Sequence, residues 1–327
     1  MNTPLSDDAA TQSAEARYFA GVSDLRSHVA QIESPDLWRR LNPHLTISET
    51  PFAGSKIDYE FSARDIDRAR LQICEDGYLQ TGPGVPAEEC RALSMALERI
   101  IEARYHPMFL AVYDEYWRVM QRIAPALTPI LGEHYRVLGD FWIWCISQQT
   151  AAAGWRPHRD HQFRKRLTFR EDRRPLIVTV WIPLTDATPL NGCMYLLPMS
   201  SDPNIPLRLN SFELSNLQNI RALPAQAGSV LAWNQYVMHW GGAASQWADH
   251  PRMSMGIYVQ AGDVPLFTEK PVDFAQELPF ARRLALISSN LLLYQSEHRF
   301  PPELVEIALH AVKALPGWES MVPDNVL

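Results

Sequence analysis

The stretch PLIVTVWIPL at residues 175–184 is a run of apolar and β-branched residues, and it predicts a β-strand. Four further stretches have the same character and are separated by turn clusters such as TPLNG and AQAG. They are YRVLGDFWIWCIS (135–147), CMYLLPM (193–199), GSVLAWN (228–234) and RMSMGIYVQ (252–260). Short strands with no helical pattern between them are typical of an antiparallel sandwich or barrel. The sequence therefore predicts a mainly β core from about residue 135 to 262 with flanking helices.

Helical patterns lie on both sides of this core. PAEECRALSMALERIIEAR (86–104) starts with a proline and two acids, as helix N-termini do. FLAVYDEYWRVMQRIAPAL (109–127) and the segment from 280 to 315 repeat apolar residues every three or four positions. We expect residues 1–60 to be an N-terminal extension packed on the core and residues 61–327 to be one domain. The helices should cover the core and shape the pocket or a homodimer contact.

Composition narrows the class of protein. Of 327 residues, 46% are hydrophobic, which suffices for a large core, and the net charge of −7 does not suggest a nucleic-acid partner. No apolar run approaches the roughly 18–20 residues of a membrane span, and no secretory signal pattern opens the chain. The four cysteines lack CxxC spacing and are read as reduced thiols. We expect a cytoplasmic protein with no membrane partner.

The stretch WRPHRDHQF (155–163) carries the first candidate site residues. In an extended segment alternate side chains point to one face, so His158 and Asp160 would aim at one point, while His161 would face away. An imidazole and a carboxylate supply two ligands for a divalent metal. The alternative is a polar loop with an exposed histidine.

A third ligand is available in NQYVMHWGG, where His239 follows the strand GSVLAWN and precedes two glycines. Two histidines and one carboxylate are the ligand set of non-haem Fe(II) oxygenases. Thirteen positions later, Arg252 and Ser254 share one face of an apolar strand, and a guanidinium aimed into a core needs an anionic partner such as a carboxylate. The alternatives are a hydrogen-bonded core histidine at 239 and a surface ion pair at 252.

The order His-x-Asp, His, Arg-x-Ser resembles the Fe(II)/2-oxoglutarate-dependent dioxygenases, most closely their phytanoyl-CoA dioxygenase-like branch. The resemblance covers roughly residues 70–262. Its other blocks are ICEDGYLQTGPGVPAEECRAL, VTVWIPLTDATPLNGCMYLLPMS and AQAGSVLAWNQYVMHWGG. His-x-Asp alone is a weak signal, but four blocks in order are a strong one.

The resemblance implies a double-stranded β-helix (jelly roll) with the metal at its mouth. It implies that His158, Asp160 and His239 bind Fe(II), and that Arg252, helped by Ser254, holds the distal carboxylate of 2-oxoglutarate. Trp181 matches a tryptophan that lines the cosubstrate pocket, although core packing explains it equally well. Gln148 is a weaker candidate for the carboxylate beside the keto group, and a neutral strand residue or a substrate contact is the alternative.

The activity implied is oxygenation with O2 and 2-oxoglutarate, most simply hydroxylation of a small molecule with release of succinate and CO2. Desaturation and cyclisation are alternative outcomes. The family's P-G-S-H turn is replaced here by Pro198-Met199-Ser200-Ser201, which puts the shape of the substrate in doubt. Asp160 is a carboxylate where related halogenases have a small residue, so halogenation is not expected.

The basic segment RKRLTFREDRR (164–174) follows the metal pair. One hypothesis is that it binds an anionic substrate, such as a phosphate, a carboxylate, or a carrier-protein or coenzyme A thioester; a secondary metabolite is another candidate substrate. The alternative is a solvated loop that pairs with its own acids. In a different class, a cupin-like binding module could use the same fold without turnover. Cupins typically present His-x-His and glutamate, so His158-x-Asp160 and Arg252 argue against this alternative. A zinc hydrolase is a third possibility, and the absence of an H-E-x-x-H motif from the sequence argues against it.

Overall fold

The computed structural model describes residues 18–53, 62–148, 154–160, 168–205, 214–267, 271–273, 276–317 and 321. Within these residues the chain forms two antiparallel sheets. The strands are β1 (Tyr78–Pro83), β2 (Arg136–Ile146), β3 (Ile177–Pro183), β4 (Met194–Leu197), β5 (Arg221–Leu223), β6 (Ser229–Asn234), β7 (Met238–Gly241), β8 (Arg252–Gln260) and β9 (Pro271–Val272).

The larger sheet has six strands in the order β1-β6-β3-β8-β2-β9, and the smaller has three in the order β5-β4-β7. Neighbours in each sheet run antiparallel, and in the larger sheet no two neighbours are consecutive among the described strands of the chain. The protein is mainly antiparallel β with flanking helices around a jelly-roll core, as the sequence predicted. The five strands predicted from apolar runs correspond to β2, β3, β4, β6 and β8.

Strand β8 shows how the alternation of residues positions the site. Met253 and Met255 point to one face and join the main hydrophobic cluster, together with Ile257. Arg252 and Ser254 point to the other face, which is the interior of the jelly roll, and both are buried. The register fixes this arrangement, because a slip of one residue would place the charged side chain among the methionines.

The helices lie outside the sheets. They are α1 (Leu25–Ala30), α2 (Pro35–Leu41), α3 (Ala63–Glu75), α4 (Ala87–Glu102), α5 (Asp114–Arg122), α6 (Ala124–Leu131), α7 (Phe280–Leu293), α8 (Gln295–His298) and α9 (Pro302–Lys313). Helix α4 starts after Pro86 and buries a stripe at spacings of three and four. The helical pattern at 109–127 is divided in the structure, because a 3-10 helix (Pro107–Val112) and an extended Tyr113 precede α5.

A buried ion pair fastens the N-terminal segment to this helical layer. Arg283 of α7 donates to Asp114 Oδ1 at 2.6 Å, and both side chains are fully buried. Asp114 also accepts hydrogen bonds from Ser48 and Thr46, and Arg283 donates to the carbonyl of Ser48. The division into an N-terminal extension (1–60) and one domain (61–327) stays a prediction. Among the described helices, none is both long and apolar enough to cross a membrane.

Candidate active site

The two candidate histidine ligands lie opposite each other on paired backbone segments. His158 forms an antiparallel bridge with His239 of β7, and each residue donates its backbone N–H to the other's carbonyl, at 3.0 and 2.9 Å. In such a pair the two side chains project from the same face. The imidazole rings lie 4.3 Å apart between centroids. The fold thus joins residues 81 positions apart in sequence.

Asp160 completes the cluster from two positions along the same extended segment. Its Oδ1 lies 3.4 Å from Nε2 of His158, and its Oδ2 lies 3.7 Å from Nε2 of His239. One ligand atom from each of the three residues lies within 4.8 Å of the others. Two imidazoles and a carboxylate in this arrangement have the composition and spacing of a facial metal triad.

Backbone carbonyls orient both rings. Nδ1 of His158 contacts the carbonyl of Arg156 at 2.7 Å, and Nδ1 of His239 contacts the carbonyl of Val237 at 3.1 Å. Each carbonyl fixes the proton on Nδ1, so the unprotonated Nε2 of each ring faces Asp160 and can bind a cation. Each carbonyl comes from the residue two positions before the histidine, which the local strand geometry provides.

Two neighbouring strands hold the carboxylate. Oδ2 of Asp160 accepts from the hydroxyl of Thr179 on β3 and from Nε1 of Trp233 on β6, the latter at 3.0 Å. Burial alone would raise the pKa of Asp160, but His239, His158 and the Thr179 hydroxyl together hold it well below its usual value. The side chain is therefore ionised, which is the form that binds metal.

The pKa values of the two histidines are shifted in opposite directions. Burial lowers the pKa of His239 to about 4, because the neighbouring Asp160 only partly compensates. Burial also lowers the pKa of His158, but Asp160 outweighs it and the net pKa is raised. His239 is therefore neutral at pH 7, the form that can bind a metal ion.

Arg252 is the most unusual charge in the described part of the chain. Its side chain is 1% exposed, and its Nε and Nη2 have no hydrogen-bond partner there. Nη1 contacts Met194 Sδ at 3.7 Å, and the guanidinium lies 5.6 Å from the centre of the Trp181 ring. Burial lowers its pKa to about 10, so the group stays charged at pH 7. A buried, uncompensated guanidinium is costly and fits an anionic ligand.

The surroundings of Arg252 leave room for such a ligand. The hydroxyl of Ser254 and Nε1 of Trp181 are also buried without a partner among the described residues. A β-carbon at Gly241 would lie 3.2 Å from both Nη atoms, so glycine keeps the guanidinium free. Arg252, Trp181 and the three candidate ligands line one cleft of about 580 Å³, part of it open to solvent. Its hydrogen-bond donors suit a dicarboxylate beside a metal.

Other predicted residues lie elsewhere. Gln148 is exposed two positions after the end of β2 and is not among the residues lining the cleft, so its proposed role gains no support. His161 and the basic residues Arg164, Lys165 and Arg166 lie outside the described residues. Of the later basic residues, Arg170 pairs with Asp263 at 2.6 Å and Arg174 with Asp172 at 2.6 Å. Arg174 thus pairs with an acid of the segment itself, as the solvated-loop alternative expects, whereas Arg170 pairs with an acid outside the segment.

Several cleft residues were not identified from the sequence. Thr179 and Trp233 hold Asp160, and the cleft is also lined by Asp140, Trp155 and Tyr294. Thr179 could have been found, since it lies two positions before Trp181 and so shares its face of β3. Tyr294 gives no such signal, because it follows a helix 136 residues after His158.

Comparison with known proteins identifies the class. Residues 106–252 match the model of the phytanoyl-CoA dioxygenase (PhyH) family, a match that includes the triad and ends on Arg252. The chain is an oxidoreductase of the Fe(II)/2-oxoglutarate-dependent class. Within that class, residues 106–252 are similar to the phytanoyl-CoA dioxygenase family, as the motifs indicated. The family match favours an enzyme over the cupin-like binding module. A comparison with curated proteins found no match.

The solved structures that are similar to the chain include SnoN, HygX and ThoJ. The 2-oxoglutarate-dependent epimerase SnoN from nogalamycin biosynthesis is 19% identical, covering 65% of this chain and 94% of that one, with a TM-score of 0.47. HygX from Streptomyces hygroscopicus, with nickel and 2-oxoglutarate bound, is 14% identical over 65% and 90%, with a TM-score of 0.47. The non-haem monooxygenase ThoJ, in a nickel complex, is 15% identical over 75% and 94%, with a TM-score of 0.48.

Proposed function

We propose that this enzyme hydroxylates a small molecule. The overall reaction takes one C–H bond of the substrate, O2 and 2-oxoglutarate, and gives the alcohol, succinate and CO2. One oxygen atom enters the new hydroxyl group and the other enters succinate. Hydroxylation is the simplest outcome of the class, because it needs only one C–H bond to be presented to the metal.

His158, Asp160 and His239 would hold the iron. Bound iron supplies the redox chemistry that couples O2 to decarboxylation of 2-oxoglutarate. The chain's own part is to fix the ligands: two backbone carbonyls orient the imidazoles, and Thr179 and Trp233 orient the carboxylate. A carboxylate at position 160 occupies the place that a halide would need, so halogenation is not proposed.

Arg252 carries the proposal for the cosubstrate. Its guanidinium is buried beside the triad without a carboxylate partner in the described residues, which is a costly arrangement unless an anion binds there. The planar fork suits the distal carboxylate of 2-oxoglutarate, and the unpartnered hydroxyl of Ser254 would donate to the same group. Trp181 would form a wall of this pocket and contribute a cation–π contact to the guanidinium.

The test is an anaerobic titration. Fe(II) and then 2-oxoglutarate are added to the protein, and the weak visible band of the iron chelate is recorded. We expect the band in the wild type and its loss in Arg252→Met, with Arg252→Lys intermediate because an ammonium retains charge but loses the fork. Met253→Leu is the matched control, since Met253 lies on the opposite face of the same strand.

Admission of O2 then tests the reaction. Succinate should form with the wild type and with Met253→Leu, and incorporation of ¹⁸O from labelled O2 into an alcohol product would distinguish hydroxylation from desaturation or cyclisation. A folded, iron-loaded wild type that gives no chelate band would contradict the assignment of Arg252. A product that carries no new oxygen would contradict hydroxylation.

A further inference from the structure

An aromatic wall lines the cleft on the side of β2 and α7. It consists of Trp142 and Trp144, which are alternate residues of β2, Trp155, which precedes the metal pair, and Tyr294, which caps α7. Trp155 is its centre: the ring centroids of Trp144 and Tyr294 each lie 5.2 Å from it, and that of Trp142 lies 5.9 Å from it. The wall is assembled from three separate parts of the chain.

Trp155 differs from the tryptophans of the core. Trp38 and Trp117 are fully buried, and each donates its indole N–H to a backbone carbonyl, at 3.0 and 2.8 Å. Trp155 remains partly exposed, and its Nε1 is buried without an acceptor among the described residues. Buried indole N–H groups normally find a partner. The free donor on Trp155 therefore points to a ligand as its acceptor.

The aromatic wall also reaches the metal site. The ring of Trp155 meets the ring of His158 edge to face, with centroids 5.7 Å apart. A molecule lying against Trp155 would thus lie next to a candidate iron ligand. Arg252 and Trp181 line the same cleft, so cosubstrate and substrate would share one cavity.

We propose that the aromatic wall binds a planar aromatic or conjugated ring system bearing an oxygen acceptor, such as a ring carbonyl, for Nε1 of Trp155. This inference rests on the proposed function and names the class of its substrate. Rings pack on rings with specific offset or edge geometries that a flexible acyl chain cannot reproduce. A flat substrate would present a C–H bond at its edge to the metal side of the cleft.

The described charges agree with this choice. Arg170 and Arg174, two described basic side chains of the segment after the metal pair, are paired with Asp263 and Asp172. In the described lining of the cleft, the single basic side chain other than the candidate ligand histidines is Arg252, which the cosubstrate would occupy. Within the described lining of the cleft, rings and not a second cation are therefore available to bind the substrate.

Calorimetric titration with defined probes tests the aromatic wall. The probes are flavone, anthrone and 1-naphthamide, which are planar and carry a carbonyl group, and dodecanamide, which is aliphatic and carries the same kind of acceptor. The wild-type protein is titrated in two states: loaded anaerobically with Fe(II) and 2-oxoglutarate, and without metal. The variants are Trp155→Leu, which removes the ring, and Trp155→Phe, which keeps a ring but removes the N–H. Trp247→Leu is the control, because Trp247 is 71% exposed and does not line the cleft.

We expect at least one planar probe to bind the wild type at least tenfold more tightly than dodecanamide. Trp155→Leu should weaken that binding at least tenfold, Trp155→Phe should weaken it severalfold, and Trp247→Leu should leave it unchanged. The proposal is overturned if no planar probe exceeds dodecanamide, or if Trp155→Leu binds as the wild type does. The chelate band, recorded on the same samples, separates this failure from failure of the proposed function: a normal band without planar-probe binding rejects only the aromatic wall.

Discussion

Replacing Arg252 with methionine should stabilise the protein in the absence of metal and 2-oxoglutarate. The guanidinium is 1% exposed and has no acidic partner among the described residues. Its pKa falls from 12.5 to about 10 on burial, which corresponds to roughly 3 kcal/mol of unfavourable free energy at 1.36 kcal/mol per pH unit. Loss of the contact with Trp181 offsets about 1 kcal/mol. The expected gain in the free energy of unfolding is about 2 kcal/mol.

The assay is urea unfolding of chelator-treated protein, followed by far-ultraviolet circular dichroism. For a chain of 327 residues, an unfolding entropy of about 2.1 cal/mol/K per residue makes 2 kcal/mol equal to a rise in Tm of roughly 3 °C. With iron present and 2-oxoglutarate at about 100 times the Kd of 2-oxoglutarate, binding should raise the free energy of unfolding of the wild type by about 2.7 kcal/mol, a gain that the variant lacks. The order of stability should then invert.

Met253→Leu provides the reference, because it changes the same strand on its core face. An Arg252→Met protein that is less stable than the wild type without ligands would refute the reasoning. It would mean that the guanidinium is already compensated in the empty protein, and that its burial does not indicate an anionic ligand.

Three other perturbations test the remaining contacts. Asp160→Asn should retain the fold but lower iron-dependent succinate formation more than roughly 100-fold. Loss of a residue that only hydrogen-bonds to a metal ligand costs up to roughly 100-fold, and loss of a ligand should cost more. Activity near that of the wild type would contradict the assignment of the triad. Thr179→Val should weaken iron binding about 10–100-fold in a chelator competition, while Thr179→Ser should not. Asp114→Asn leaves Arg283 buried without its partner, so it should cost about 3–5 kcal/mol at pH 7 by urea unfolding. Burial raises the pKa of Asp114, but Ser48 and Arg283 outweigh it and the net pKa is lowered. The stability gained from this ionised carboxylate is present above about pH 4 and lost as the pH falls through the lowered pKa, so the variant should approach the wild type in acid. An equal difference at pH 7 and pH 3 would contradict this account.

The sequence was a good guide to the strands and a poorer guide to what covers them. Strand β8 begins and ends where its apolar run does, since an 11-residue partner, β2, pairs along it. Strand β7 was not predicted, because its four residues are too few to show alternation. The helical pattern at 109–127 could not reveal its interruption, since the buried carboxylate at 114 is anchored by Arg283 from far along the chain. Such tertiary contacts override local periodicity.

The same distinction holds for the candidate site. His158 and Asp160 could be predicted from their His-x-Asp spacing, and His239 and Arg252 from their positions after or on apolar strands and in the order of the family's motifs. The aromatic wall could not, since an isolated tryptophan or tyrosine in a sequence is indistinguishable from a core residue. Its members are recognisable only when partly exposed rings from β2, residue 155 and the end of α7 meet around a donor without an acceptor.

The backbone pairing of His158 with His239 has a consequence for how this site can change. The two ligand positions are held by reciprocal N–H···O=C bonds that do not involve the imidazoles. Side chains at these positions can therefore be exchanged while their Cα atoms keep their spacing. The metal ligands can therefore change independently of the fold. A cysteine or carboxylate at either position would be held by the same backbone hydrogen bonds, so a different metal preference could be engineered or evolve without a new fold.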